Sequence, residues 1–85
     1  MVIDNFAVNG KQFEIRLSRV GDAYEIRAFQ EGSPANGFSY RVSIENQHDL
    51  KVLAGMDMVK ELSRIAKEDV KEQRYEKLLE ALKDK

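Results

Sequence analysis

Apolar and polar side chains alternate through residues 1–44, and turn signals divide this stretch into four segments. Alternation with a period of two is typical of β-strands that bury only one face. The first turn signal, Asn9-Gly10, favours a type I′ hairpin because both central positions of that turn need a positive φ. A two-residue turn at this point predicts the register of the first two strands. The predicted cross-strand pairs are Phe6 with Phe13, Asp4 with Ile15 and Val2 with Leu17.

The second turn signal, Gly21-Asp22, favours a type II′ turn, since glycine occupies its first central position. The apolar face of the first hairpin then continues into the third strand. The pairs predicted from this turn are Leu17 with Ile26 and Ile15 with Ala28.

The third connection, residues 31–37, is longer and rich in turn-forming Gly, Pro and Asn. Because all three turns place apolar side chains on the same face, residues 1–44 predict a four-stranded antiparallel meander with one buried face. A symmetric hairpin around the third connection predicts two further pairs, Ile26 with Val42 and Ala28 with Tyr40. The outward face is predicted to carry Ile3, Asn5, Gln12, Glu14, Arg16, Ser18, Glu25, Arg27, Phe29, Ser39, Arg41 and Ser43.

Residues 46–85 have a helical pattern and supply a cover for the sheet. Asn46 is the predicted N-cap of a first helix, with Asp49 in its first turn. We expect Gly55 to interrupt this helix and Asp57 to cap a longer second helix. Apolar residues recur in the second helix at the helical period, so they should lie against the sheet. They are Val59, Leu62, Ile65, Ala66 and Val70.

A second apolar stripe follows the polar segment 71–74, and it consists of Tyr75, Leu78, Leu79 and Leu82. At about 100° per residue, its centre lies roughly 160° from the centre of the first stripe. One straight helix cannot bury both stripes against one sheet, so either the chain bends near residues 71–74 or the last turns pack on something else. Three outcomes are open: self-association through the stripe, a return of the stripe onto its own sheet, and a tail that is frayed or binds a partner.

These elements predict a single α+β domain over residues 1–85, of the type ββββα or ββββαα. The antiparallel sheet of residues 1–44 is covered on one face by helical residues 46–85, with candidate breaks near residue 55 and in residues 71–74.

Composition and charge exclude several classes of site. The formal net charge is −1, so no global field attracts nucleic acid. The chain has no cysteine, which excludes disulfides, thiolate catalysis and cysteine-ligated metals, and His48 is its single histidine. No nucleophile–base pair, cofactor loop or metal-ligand spacing is recognisable, so we expect a non-enzymatic protein without a cofactor, a metal or a small-molecule substrate. Acidic residues of the helices, such as Asp57 and Asp69, are interpreted as capping and solvated groups.

Targeting signals are not apparent in the sequence. No apolar run reaches the roughly 18 residues of a membrane span, and no signal-peptide pattern opens the chain. We therefore expect a cytoplasmic protein without a membrane partner.

The outward face of the sheet carries a row of arginines. In the predicted register Arg16 lies opposite Arg27, and Arg27 lies opposite Arg41. Like charges on opposite strands destabilise a sheet by a few tenths to about 1 kcal/mol, so the row needs a reason. One interpretation is an anion track, on which guanidinium groups bind phosphates while Phe29 stacks on bases. The other is a solvated face, on which flanking glutamates balance the charge.

Two segments carry a resemblance to a known family: residues 23–29, AYEIRAF, and residues 37–44, GFSYRVSI, separated by a turn-rich loop and followed by a helix. This pattern resembles the four-strand-plus-helix unit of single-stranded nucleic-acid-binding transcriptional coactivators of the positive-cofactor type, and purine-rich-element-binding repeats look similar. The resemblance covers roughly residues 5–66 as a pattern of elements. It implies dimerisation through the unit and a single strand bound on the sheet side. The contacts it implies are Arg16, Arg27, Phe29 and Arg41.

Two functions are therefore expected as alternatives. The first is a small interaction or oligomerisation module that forms a homodimer through the stripe Tyr75, Leu78, Leu79 and Leu82. The second is a single-stranded nucleic-acid-binding domain that uses the outward face of the sheet.

Overall fold

An antiparallel sheet followed by three helices organises the structure, a computed structural model that describes residues 1–83. This confirms the predicted α+β class and the antiparallel meander. The strands are β1 (Val2–Val8), β2 (Lys11–Val20), β3 (Ala23–Gln30), β4 (Ser33–Pro34) and β5 (Tyr40–Ser43). The helices are α1 (Ile44–Ala54), α2 (Met58–Lys71) and α3 (Arg74–Lys83).

The first two hairpins have the registers predicted from their turns over most of their length. Asn9 and Gly10 both have positive φ, 52° and 80°, as a type I′ turn requires. Around them Phe6 lies opposite Phe13, and their rings stack at 5.3 Å. The other confirmed pairs are Asp4 with Ile15, Leu17 with Ile26 and Ile15 with Ala28.

A β-bulge at the start of β1 makes the predicted pair of Val2 and Leu17 wrong. The register shifts between Val2 and Asp4, so that Val2 lies opposite Arg16. Leu17 instead exchanges two hydrogen bonds with Met1, of 2.8 and 3.0 Å. The extra residue reverses the local alternation, and Ile3, predicted on the outward face, packs against the core.

The fourth predicted strand is divided into β4 and β5, and its predicted register is wrong by two residues. A tight turn with positive φ at Glu31 and Gly32 lets β4 pair at once with the end of β3. Residues 35–39 then leave the sheet before β5 returns to the same edge of β3. The pairs in β5 include Ile26 with Tyr40 and Tyr24 with Val42. Arg41 consequently lies opposite Glu25.

Local caps set the boundaries of the helices. The N-cap of α1 lies three residues earlier than predicted, at Ser43 and not at Asn46. Ser43 Oγ accepts from the Asn46 N–H at 3.0 Å. Gly55 ends α1 with φ 65°, as predicted. Asp57 caps α2, as predicted, by accepting from the Lys60 N–H at 3.2 Å.

The core lies between the inner face of the sheet and α2. Its central cluster of buried residues consists of Ile15, Ile26, Ala28 and Ala66. Three predicted positions of α2, Val59, Leu62 and Val70, pack against this cluster. Ile65 is half-buried. Lys67 of α2 forms an ion pair with Asp4 of β1. This bond is the main cause that lowers the pKa of Asp4 below its usual value, and the hydrogen bond from the Asn5 N–H is the second cause.

The chain bends between α2 and α3, within the segment predicted to break. Helix α2 ends at Lys71, and Gln73 has a φ of 52°, which no α-helix continues through. Helix α3 therefore leaves in a new direction. Within the described residues, none of the three helices is long and apolar enough to cross a bilayer.

Candidate functional site

The predicted row of three arginines on the outward face is reduced to a pair. Arg16 and Arg27 lie directly opposite each other on β2 and β3, as predicted. Arg41 does not join them, because the shifted register of β5 places it opposite Glu25. The predicted juxtaposition of Arg27 and Arg41 is therefore wrong, and the division of the fourth strand is its cause.

Two of the predicted contact arginines are engaged by carboxylates of their own sheet. Arg16 Nε lies 3.1 Å from Glu14 Oε2, and its guanidinium covers the Phe29 ring at 4.5 Å from the centroid. Arg41 Nε lies 2.9 Å from Glu25 Oε2. One face of Phe29 is thus occupied by a side chain of the same chain. These ion pairs neutralise part of the positive charge of Arg16 and Arg41, so the face attracts an external anion less strongly.

Arg27 is half-buried and attached to the 35–39 segment. Its Nη2 donates to the Asn36 carbonyl oxygen at 2.9 Å. Its Nε is buried and has no hydrogen-bond partner among residues 1–83. A buried donor without a partner costs on the order of 1–3 kcal/mol of folding stability, so Arg27 is less favourable here than an arginine in solvent.

A polar network centred on the buried Asp69 joins β5, α2 and α3. The Tyr40 hydroxyl donates to Asp69 Oδ2, and Arg74 Nη1 donates to Asp69 Oδ1 at 3.2 Å. Asp69 is only 3% exposed. Burial is the main cause that raises the pKa of Tyr40 to about 12, and the hydrogen bond to Asp69 is the second cause. The network fixes the first turn of α3 relative to the sheet.

The interpretation of Asp69 as a solvated group is wrong. The position lies three residues after Ala66 and seven after Leu62, hence on the face of α2 that covers the sheet. That spacing was the available signal, since a carboxylate on an apolar helix face needs buried partners. No sequence pattern identifies Tyr40 or Arg74 as the hydrogen-bond partners of Asp69.

The apolar stripe of α3 divides into a packed residue and three exposed ones. Tyr75 packs on its own chain, edge-on to the Phe38 ring at a centroid distance of 5.1 Å. Its ring lies over Gly37, where an added Cβ would approach two ring carbons and the hydroxyl oxygen of Tyr75 more closely than 3.0 Å. Beyond the sheet Leu78, Leu79 and Leu82 are 47%, 43% and 57% exposed. Residues 75–82 are helical, as predicted.

Other surfaces carry less organised chemistry. His48 is exposed on α1 and borders two open grooves of about 530 Å³ each. Another groove, of about 490 Å³, runs between β1 and α2. Among residues 1–83, no three His, Asp or Glu side chains come together in a way that could hold a metal ion.

Known proteins supply no further guide to these surfaces: no family model matches the chain, and no curated protein or solved structure is significantly similar to it.

Proposed function

We propose that this chain is a non-enzymatic self-association module that forms a homodimer through Leu78, Leu79 and Leu82 of α3. The observation that carries the proposal is the exposure of all three leucines on one face of a helix. Large apolar side chains that are grouped on an otherwise charged helix are typical of an interaction surface.

The helix is held ready for such a contact. A helix of ten residues is marginal in water by itself. Here the Arg74–Asp69 bond and the packing of Tyr75 on Phe38 fix its first turn. The leucines therefore lie on a helix that is already ordered, so binding a partner costs little additional conformational entropy in α3.

The expected affinity is modest. Each leucine is already about half covered, so complete burial would contribute on the order of 1 kcal/mol per side chain. Two copies bring three leucines each, and from the gross gain of about 6 kcal/mol the cost of lost translational and rotational freedom is subtracted, so the dimer is expected to be weak. A concentrated solution is therefore needed to populate the dimer.

The test is sedimentation equilibrium over concentrations from roughly 1 µM to 1 mM. We expect the wild-type chain to approach a dimer and the variant Leu78→Glu with Leu82→Glu to remain a monomer. Leu53→Glu is the matched control, because Leu53 is a leucine of α1 that is 83% exposed. Far-UV circular dichroism checks that each variant is folded. A wild-type protein that stays monomeric at the highest concentration would refute the proposal.

A second candidate function, binding of single-stranded nucleic acid, is favoured by one observation. Arg16 and Arg27 lie directly opposite each other, next to the ring of Phe29. Two cations and an aromatic ring are the groups that bind a phosphate and stack on a base. A phosphate would have to compete with Glu14 for Arg16.

A short oligonucleotide titrated at rising salt concentration tests this alternative, because phosphate contacts weaken steeply with salt. Arg16→Gln is the variant of choice, since Arg27 is half-buried and bonded to Asn36, so that changing it would disturb the fold. Arg64→Gln, on the exposed side of α2, is the matched control. Binding that Arg16→Gln weakens and Arg64→Gln preserves supports the candidate; no binding at low salt excludes it.

A further inference from the structure

A small cleft lies between the tip of the first hairpin, the 35–39 segment and the bend that joins α2 to α3. Its volume is about 200 Å³. Part of its wall is apolar and includes Val8, Phe13 and Val70, of which Phe13 is only 8% exposed. The rest of the wall is polar, and it is supplied by Asn9, Lys11, Gln30, Asn36, Gln73 and Glu76.

Lys11 and Glu76 bring opposite charges to this cleft, Lys11 from β2 and Glu76 from the first turn of α3. No ion pair joins them, and neither is paired with another group among residues 1–83. By contrast, Arg64, Lys67 and Arg74 of the two helices beside the cleft are all paired with carboxylates. The cleft therefore has a cation on its sheet side and an anion on its helix side, and both are available to a ligand.

The bend places an amide beside these charges at a cost to the backbone. Gln73 has a φ of 52°, a conformation that glycine or asparagine adopts more readily than glutamine. The backbone alone makes the bend, so the glutamine side chain is not required for it. At the cleft this side chain supplies two hydrogen-bond donors and an acceptor. Its position therefore favours a polar ligand.

These groups together match one class of ligand. A carboxylate would pair with Lys11, an ammonium group would pair with Glu76, and the amides would bind the remaining donors and acceptors. A water molecule occupies about 30 Å³, so the cleft has room for roughly seven waters or for an organic molecule of about that many non-hydrogen atoms. The apolar wall then accepts a short apolar side chain.

We propose that this cleft binds a free α-amino acid with a short apolar side chain, with its carboxylate at Lys11 and its ammonium group at Glu76. The ligand is bound and not converted. The exposed leucines of α3 do not line the cleft, so this inference is independent of the proposed homodimer.

Titration with L-valine, whose size suits the cleft, is the test. Backbone amide chemical shifts of the isotopically labelled chain report where the ligand binds. We expect saturable shifts at the amides that border the cleft, with a Kd on the order of 1 mM because exposed ion pairs contribute weakly. The amides of α1 should not shift. An absence of saturable shifts up to roughly 20 mM L-valine overturns the inference.

Two analogues test whether both charges are recognised. Isovalerate lacks the ammonium group of L-valine, and L-valinamide lacks its carboxylate. Each should bind about threefold more weakly than L-valine or worse, because one ion pair is lost. An analogue that binds as tightly as L-valine overturns the assignment of both charges.

Variants of the cleft complete the test. Lys11→Gln and Glu76→Gln should each raise the Kd about threefold or more, and both side chains are exposed, so the fold is preserved. Gln73→Gly suits the positive φ and should also weaken binding without unfolding the chain. The matched controls are Lys60→Gln, at the other end of α2, and Glu80→Gln, beyond the cleft on α3.

The outcomes separate this inference from the proposed function. Equal Kd values for the cleft variants and their controls overturn the cleft and leave the homodimer standing. A wild-type chain that sediments as a monomer but binds L-valine refutes the homodimer and supports the cleft.

Discussion

Replacing Gly37 by alanine tests whether Tyr75 attaches α3 to the sheet. The φ of Gly37 is not in the left-handed region, so alanine is acceptable to the backbone there. The obstacle is the added Cβ, which would come closer than 3.0 Å to two ring carbons and the hydroxyl oxygen of Tyr75. A planar ring cannot yield by a small rotation, so either the ring leaves Phe38 or the 35–39 segment moves away from α3.

The expected cost follows from these contacts. Overpacking of one carbon typically costs about 1–3 kcal/mol, and an aromatic pair such as Tyr75 and Phe38 contributes about 0.5–1.5 kcal/mol beyond its buried area. We therefore expect Gly37→Ala to lower the free energy of unfolding by about 1–3 kcal/mol. Urea denaturation followed by circular dichroism measures this change.

A double-mutant cycle makes the reasoning refutable. In a Tyr75→Ala background the obstructing ring is absent, and only the effect of glycine on the unfolded chain remains. There Gly37→Ala should be neutral or stabilising by up to about 1 kcal/mol, because alanine reduces the entropy of the unfolded state. The sign of the effect thus reverses between the two backgrounds. An equal loss of stability in both backgrounds would show that Tyr75 does not lie over Gly37.

Two further predictions concern groups with shifted pKa values. The pKa of Tyr40 is raised to about 12 from 10.0, so its contribution to stability is fully present below pH 10 and is lost as the pH rises from 10 to 12. Tyr40→Phe should therefore flatten the loss of stability in urea melts over that range. Asp57 accepts from Gln47 and from the Lys60 N–H, and these bonds lower its pKa, so its contribution is lost as the pH falls through its lowered pKa. Asp57→Ala should cost about 1 kcal/mol in urea melts near neutral pH, and Asp57→Asn, which keeps a capping oxygen, should cost less.

Local sequence determined the elements whose causes lie within a few residues. The turns at Asn9-Gly10 and Gly21-Asp22 depend on backbone conformations that these residues adopt readily, and both registers were predicted correctly near the turns. The same holds for the end of α1 at Gly55 and the start of α2 at Asp57. The face of α2 that meets the sheet follows from spacing alone, since a helix has a fixed period.

Only the tertiary structure decided the features that depend on competition between distant groups. The N-cap of α1 passed to Ser43 because β5 ends there, although Asn46 is an equally good capping residue in isolation. The bulge near Ile3 turns this apolar side chain from solvent to the core. The burial of Ile3 favours the bulged register of β1 over the regular one that the turn predicts.

The candidate sites show the same division. The spacing of Leu78, Leu79 and Leu82 was sufficient to place them on one helical face. Their exposure, however, results from the bend at Gln73 and from the contact of Tyr75 with Gly37. Tyr75 and Gly37 lie far apart in sequence. The arginine row was lost for a related reason, because a turn at Glu31-Gly32 competed with the symmetric hairpin and shifted β5 by two residues. Short-range periodicity specifies which side chains share a face, and only long-range packing decides what that face meets.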